Sequence, residues 1–154
     1  MKKVMGLGLG LVLALGFAGS VFADSPDLAA ARTLLQKNRQ ATIATNLGLT
    51  QTEGRAFWPL YREYRTEMAR VGDRLVKLVT EFDTKFDTLS DADASRMLDD
   101  YLSIQSSELA VRKRYVKSFR KALPPKKVAR FYQIENKLDA TLRYELSGLI
   151  PLTK

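Results

Sequence analysis

Apolar positions recur along this chain with the period of an α-helix, and no stretch keeps the alternation that a half-buried strand needs. From Asp27 onward the pattern divides into four segments. Leu28, Ala31, Leu34, Leu35 and Ala41 predict a first helix over about 27–47, closed near Asn46 to Gly48 by residues that favour a left-handed cap. The second pattern is the strongest. Phe57, Tyr61, Tyr64, Met68, Val71, Leu75, Leu78 and Phe82 are spaced alternately four and three apart, a heptad seam. Met97, Tyr101, Ile104, Leu109, Tyr115 and Phe119 mark a third helix, and Val128, Phe131, Leu138 and Leu142 a fourth. The expected class is all-α: an elongated helical hairpin or four-helix arrangement with a long, proline-kinked second helix.

The joints carry start signals. Thr50 and Glu53 form a capping box, in which the hydroxyl accepts from the Glu53 N–H and the carboxylate accepts from the Thr50 N–H. Leu89-Ser90-Asp91-Ala92-Asp93 opens the third helix with acids where the helix dipole favours them. Leu123-Pro124-Pro125 opens the fourth with proline, whose missing N–H costs nothing in a first turn. Pro59 lies too deep in the second helix for that excuse. It must free the Arg55 carbonyl and bend the axis, yet the seam passes through it without losing phase, so one continuous helix is expected.

The residues before Asp27 read differently. Met1-Lys2-Lys3, an uncharged run from Val4 to Ala23 and the small residues of Val21-Phe22-Ala23 predict a secretory signal peptide over 1–23, cleaved after Ala23. The run is long enough to span a bilayer, so a retained anchor is the alternative. Residues 24–154 would then be a single all-helical domain. Losing Lys2 and Lys3 takes the net charge from +8 to +6.

The chain has no cysteine and no histidine. That excludes disulfides, a lipid-modified amino terminus, a Ser-His-Asp triad, a cysteine nucleophile and thiolate or imidazole metal sites. No paired carboxylates stand isolated among apolar neighbours, so no enzyme activity, cofactor or metal is expected. Asp87, Asp91 and Asp93 lack the glycine, spacing and distal glutamate of an EF-hand.

Charge is uneven. Arg112, Lys113, Arg114, Lys117, Arg120, Lys121, Lys126, Lys127 and Arg130 form a block without an acid, interleaved with Tyr115, Phe119, Phe131 and Tyr132. Glu81, Asp83, Asp87, Asp91, Asp93, Asp99 and Asp100 crowd the joint before the third helix. The molecule should therefore have a basic and an acidic end. The basic block, with Tyr115 and Phe119, is the candidate partner-binding surface; the plain alternative is a solvated face. Protein clients or a signalling protein are the partners expected, an anionic lipid surface is chemically possible, and nucleic acid is not expected for an exported protein. The separated charges would also suit an antiparallel homodimer. The aromatic seam is either core or a partly open groove.

With its leader, its helical layout and Leu49, Thr50 and Glu53 opening a long helix, the chain resembles the Spy/CpxP family of periplasmic proteins, whose signature is a Leu-Thr-x-x-Gln motif occurring twice. Here Glu53 replaces the glutamine, and Leu123-Pro124-Pro125-Lys126-Lys127 stands where a second motif is expected. The resemblance implies a periplasmic location, a hairpin dimerising into a cradle, and a role as an ATP-independent chaperone or modulator of envelope-stress signalling. Metal-responsive relatives use histidine, which this chain lacks. A structural or adaptor subunit of an envelope complex, with one fixed partner, is the alternative.

Overall fold

A computed structural model describes residues 26–147 and 150–153, with side chains placed from residue 37 onward except at 145 and 146. Among them the chain is all-α. Helix α1 spans Pro26–Leu47, α2 Gln51–Lys85, α3 Asp91–Ala122 and α4 Pro125–Ser147, with one 3-10 turn over Phe86–Thr88. The expected signal peptide, and the side chains of Leu28, Ala31, Leu34 and Leu35, lie outside what is described. No helix among the described residues is long and apolar enough to cross a membrane.

The helices start where their caps allow. Thr50 Oγ1 accepts from the Glu53 N–H at 3.2 Å and the Glu53 carboxylate accepts from the Thr50 N–H at 2.7 Å. Ser90 Oγ accepts from the Asp93 N–H at 3.1 Å. The Pro124 carbonyl accepts from the N–H groups of Lys127 and Val128 and so opens α4. Gly48 turns the chain between α1 and α2 with φ of 57°, a conformation that strains any residue with a Cβ. Helix α2 runs unbroken through Pro59.

The hairpin partners α2 and α3 pack along each other, α3 packs on α4, and α4 on α1. Helix lengths decide the shape. At about 1.5 Å per residue, α2 and α3 extend to roughly 50 Å and α1 and α4 to roughly 34 Å. The α2/α3 hairpin therefore outruns the four-helix part as a two-helix arm.

Burial follows this division. The core consists of Ile43 and Leu47 of α1; Phe57, Tyr61, Tyr64 and Met68 of α2; Val111, Tyr115 and Phe119 of α3; then Leu123, Val128 and Phe131. Phe119 and Phe131 meet at 4.7 Å between ring centroids, with Phe57 at 5.5 and 5.3 Å from them. Farther out along the hairpin, among the described residues, only Met97 and Ile104 are buried, while Val71, Leu75, Leu78 and Phe82 are half-buried. Two helices cover one side of each other and no more.

Four seam assignments need correction. Tyr101 and Leu109, expected inside α3, are 41% and 50% exposed. Leu142 is 39% exposed and Ala41 is exposed, while Val111, Ile43 and Leu47 hold the interior positions instead.

Candidate partner-binding surface

The basic block does not stay together as a surface. Arg112 pairs with Glu108 and Asp139, and Arg114 pairs with Glu67 while lying 5.9 Å from the Tyr115 ring centre. Lys127 donates to the Glu53 carboxylate at 2.6 Å and to the Gly48 carbonyl at 2.7 Å. Lys113, Lys117, Arg120, Lys121, Lys126 and Arg130 are exposed, and none forms an ion pair among the described residues. These are the cations left to face a partner.

Tyr115 and Phe119 are not surface residues, which corrects their assignment to the binding surface. They are 9% and 0% exposed, because positions 104, 111, 115 and 119 continue the interior stripe of α3 and the cations fall on its other sides. Tyr115 donates its hydroxyl proton to Glu67 at 2.8 Å. The seam of α2 is likewise core in the four-helix part.

Leu49, Thr50 and Glu53 hold the fold together. Leu49 packs against the core, and Glu53, through Lys127, ties the start of α2 to the start of α4. The Lys127 ammonium, followed by the Thr50 N–H, holds the Glu53 carboxyl below the usual carboxylate range.

The opposite end matches the acidic joint. Lys85 binds Asp93 at 2.7 Å and Glu81 at 3.3 Å, and Arg96 joins Glu81, Asp93 and Asp100. Hydrogen bonds from Lys85 and Ser90 pull the Asp93 carboxyl down to about 2. Among the described residues no group of three or more acidic side chains is placed to hold a metal ion.

Two features were not anticipated. The first is a chain of alternating charges beside the core. Arg65 and Arg39 both reach Glu135, at 3.2 and 3.1 Å; Arg39 continues to Asp139 at 2.7 Å; Arg112 links Asp139 to Glu108, and Arg143 also reaches Glu108. Every helix contributes. Burial alone would lower the Arg39 pKa, but the charges of Glu135 and Asp139 outweigh it and the net shift is upward. Burial pushes the Tyr61 hydroxyl up to about 12 and raises Tyr64 further. Among the described residues Tyr64 Oη has no hydrogen-bond partner, although Arg112 lies near enough to oppose the shift.

The second feature is an outward apolar face on α3. Leu98, Leu102 and Leu109 are 58%, 50% and 50% exposed, with Tyr101 beside them. Leu98, Leu102, Leu109, Lys113 and Arg120 follow one another at four and seven residues, so they share one side of the helix. Leu98 and Leu102 lie toward the arm, while Leu109, next to the Glu108 that α4 reaches through Arg143, and the cations lie beside the four-helix part.

Comparison of the chain with protein-family models, curated proteins and solved structures returns no match.

Proposed function

We propose that this is an exported, periplasmic, ATP-independent chaperone-like or envelope-stress modulator protein of the Spy/CpxP type. It binds partly unfolded or signalling proteins on the outer face of α3. The observation that carries the reading is the continuity of exposed Leu98, Leu102 and Leu109 along one helix side with Lys113 and Arg120, which are unpaired among the described residues. Surface cations speed encounter but add little lasting affinity, and that little is screened by salt. Three isolated leucines then offer shallow apolar contact, each worth at most about 1.5–3 kcal/mol if fully buried. Such a surface holds a chain briefly and without a fixed shape, so a client folds while in contact.

The test is suppression of aggregation by substoichiometric protein, with two unrelated clients, at low and high salt. Suppression of both, weaker at high salt, is expected. No suppression of either, with recovery of one defined partner from envelope extracts, supports the adaptor role instead.

One observation favours a second reading, in which a second copy covers this face. Laid antiparallel on itself, α3 sets Asp91 against Arg120 and Leu102 against Leu109 of the mate, and each contact repeats by symmetry. Sedimentation would then show a dimer at low salt that dissociates as salt rises; a monomer throughout removes this reading.

A further inference from the structure

We infer that the cleft between the end of α1 and the start of α2 is a separate binding site for an extended acidic peptide. The segment it fits has two carboxylates three residues apart and apolar residues between them. This goes beyond the α3 face and does not depend on it.

The cleft exists because α1 turns away. Only Gly48, Leu49 and Thr50 separate α1 from α2, yet α1 rests on α4, and the backbones of α1 and α2 do not pack against each other among the described residues. An open space of about 580 Å³ remains, walled by Ala44 on one side and by Gly54, Arg55, Trp58, Pro59 and Arg62 of α2 on the other. No acidic side chain among the described residues lines it.

Its chemistry is specific. Trp58 is held edge-on against Phe57 and Tyr61, with centroids 5.1 and 5.5 Å apart, so the indole is a rigid wall. Gly54 leaves the edge of that ring open: an added Cβ would already stand 3.6 Å from Nε1, and anything longer would lie across it. Pro59 contributes a second apolar ring. Having no N–H, it also leaves the Arg55 carbonyl without its i+4 helical donor.

Arg55 and Arg62 are exposed and make no ion pair among the described residues. Elsewhere Arg39, Arg65, Arg96, Arg112, Arg114 and Arg143 each meet a carboxylate. Seven residues of helix put Arg55 and Arg62 about 10.5 Å apart along the axis. Three residues of chain in the polyproline II conformation span about 9.3 Å and bring side chains i and i+3 to the same side. In that conformation an acidic-x-x-acidic segment places one carboxylate on each guanidinium, in the bidentate geometry arginine favours, with the two middle residues turned to either side, toward Trp58 and Pro59.

Trp58 is the only tryptophan in the chain, so its fluorescence reports this cleft alone. The full chain is titrated with acetyl-Glu-Leu-Pro-Glu-amide, with the Gln-Leu-Pro-Gln and Lys-Leu-Pro-Lys peptides, and with succinate. Saturable change with the acidic peptide is expected, at least tenfold weaker with each of the others. Arg55→Glu with Arg62→Glu should weaken it at least tenfold while far-ultraviolet circular dichroism and the melting temperature stay as in the parent. Changing Leu98, Leu102 and Leu109 to Ser should leave the titration unaltered, which separates this site from the α3 face. No saturable change, an equal response to the glutamine peptide or to succinate, or binding that survives the double charge reversal overturns the inference.

Discussion

Arg39 and Glu135 meet at 3.1 Å across α1 and α4, 96 positions apart in sequence, and the carboxylate is 1% exposed. The other oxygen of Glu135 accepts from Arg65 of α2 at 3.2 Å. One buried carboxylate thus ties three helices, and it is tolerable in the interior only because two guanidiniums surround it.

Removing it should therefore be severe. Glu135→Gln removes the counter-charge of Arg65 and leaves Arg39 with Asp139 alone, and is expected to cost about 3–5 kcal/mol in urea unfolding. Replacing the group together, as Arg39→Met, Arg65→Met and Glu135→Leu, should recover at least half of that loss, because no stranded charge remains at Glu135. A triple variant as unstable as the single one would show that the charges themselves are indispensable.

The core hydroxyl without a partner gives the opposite sign. Tyr64 Oη is buried and has no hydrogen-bond partner among the described residues, so Tyr64→Phe should leave stability unchanged or raise it by up to about 1 kcal/mol. Phe119→Ala, in the centre of the ring cluster, should cost about 3–5 kcal/mol. Thermal or urea unfolding separates the two.

Acid should weaken the fold at both ends of the hairpin. Asp93, Glu53 and Glu81 have folded pKa values below their unfolded ones, Asp93 at about 2, through hydrogen bonds from Lys85, from Lys127 and Thr50, and from Lys85 and Arg96. Their stabilisation is full above the unfolded values near 4 and is lost as pH falls toward 2. The urea midpoint should be flat from about pH 7 to 5 and then fall. Asp93→Asn should shallow that fall; an identical slope would deny the Lys85–Asp93 pair its role.

The basic block should divide by mutation as it divides in space. Charge reversal at Lys113, Lys117 and Lys121 should weaken client binding at low salt and leave the melting temperature nearly unchanged, since these side chains are exposed. Lys127→Glu should lower the melting temperature, because it sets a carboxylate against Glu53 and the Gly48 carbonyl. Binding assays beside melting curves would show any failure of this split.

Much of the fold was legible because local rules govern it. The caps at Thr50, Ser90 and Pro125, and the phase of Phe57 to Phe82, place all the joints of the hairpin. The seam could not show where four helices give way to two, since Val71 to Phe82 keep the phase of Phe57 to Met68 while losing half their cover. Tyr101 and Leu109 were misplaced for a related reason: on α3 the residues beside the contact stripe are apolar and still meet solvent. Tyr115 and Phe119 were read by their neighbours in sequence, when their helical phase with Ile104 set them inside. Glu135 had a visible signal, a carboxylate four residues after Phe131 at core spacing, but its partners Arg39 and Arg65 lie on helices that only tertiary packing brings near.

The most direct test of the central claim, that the outer face of α3 and not the aromatic seam does the binding, is client aggregation measured with Leu98→Ser, Leu102→Ser and Leu109→Ser combined. All three side chains are at least half exposed, so the melting temperature should shift little, and suppression of aggregation should be lost. Full suppression by a well-folded triple variant would contradict the account.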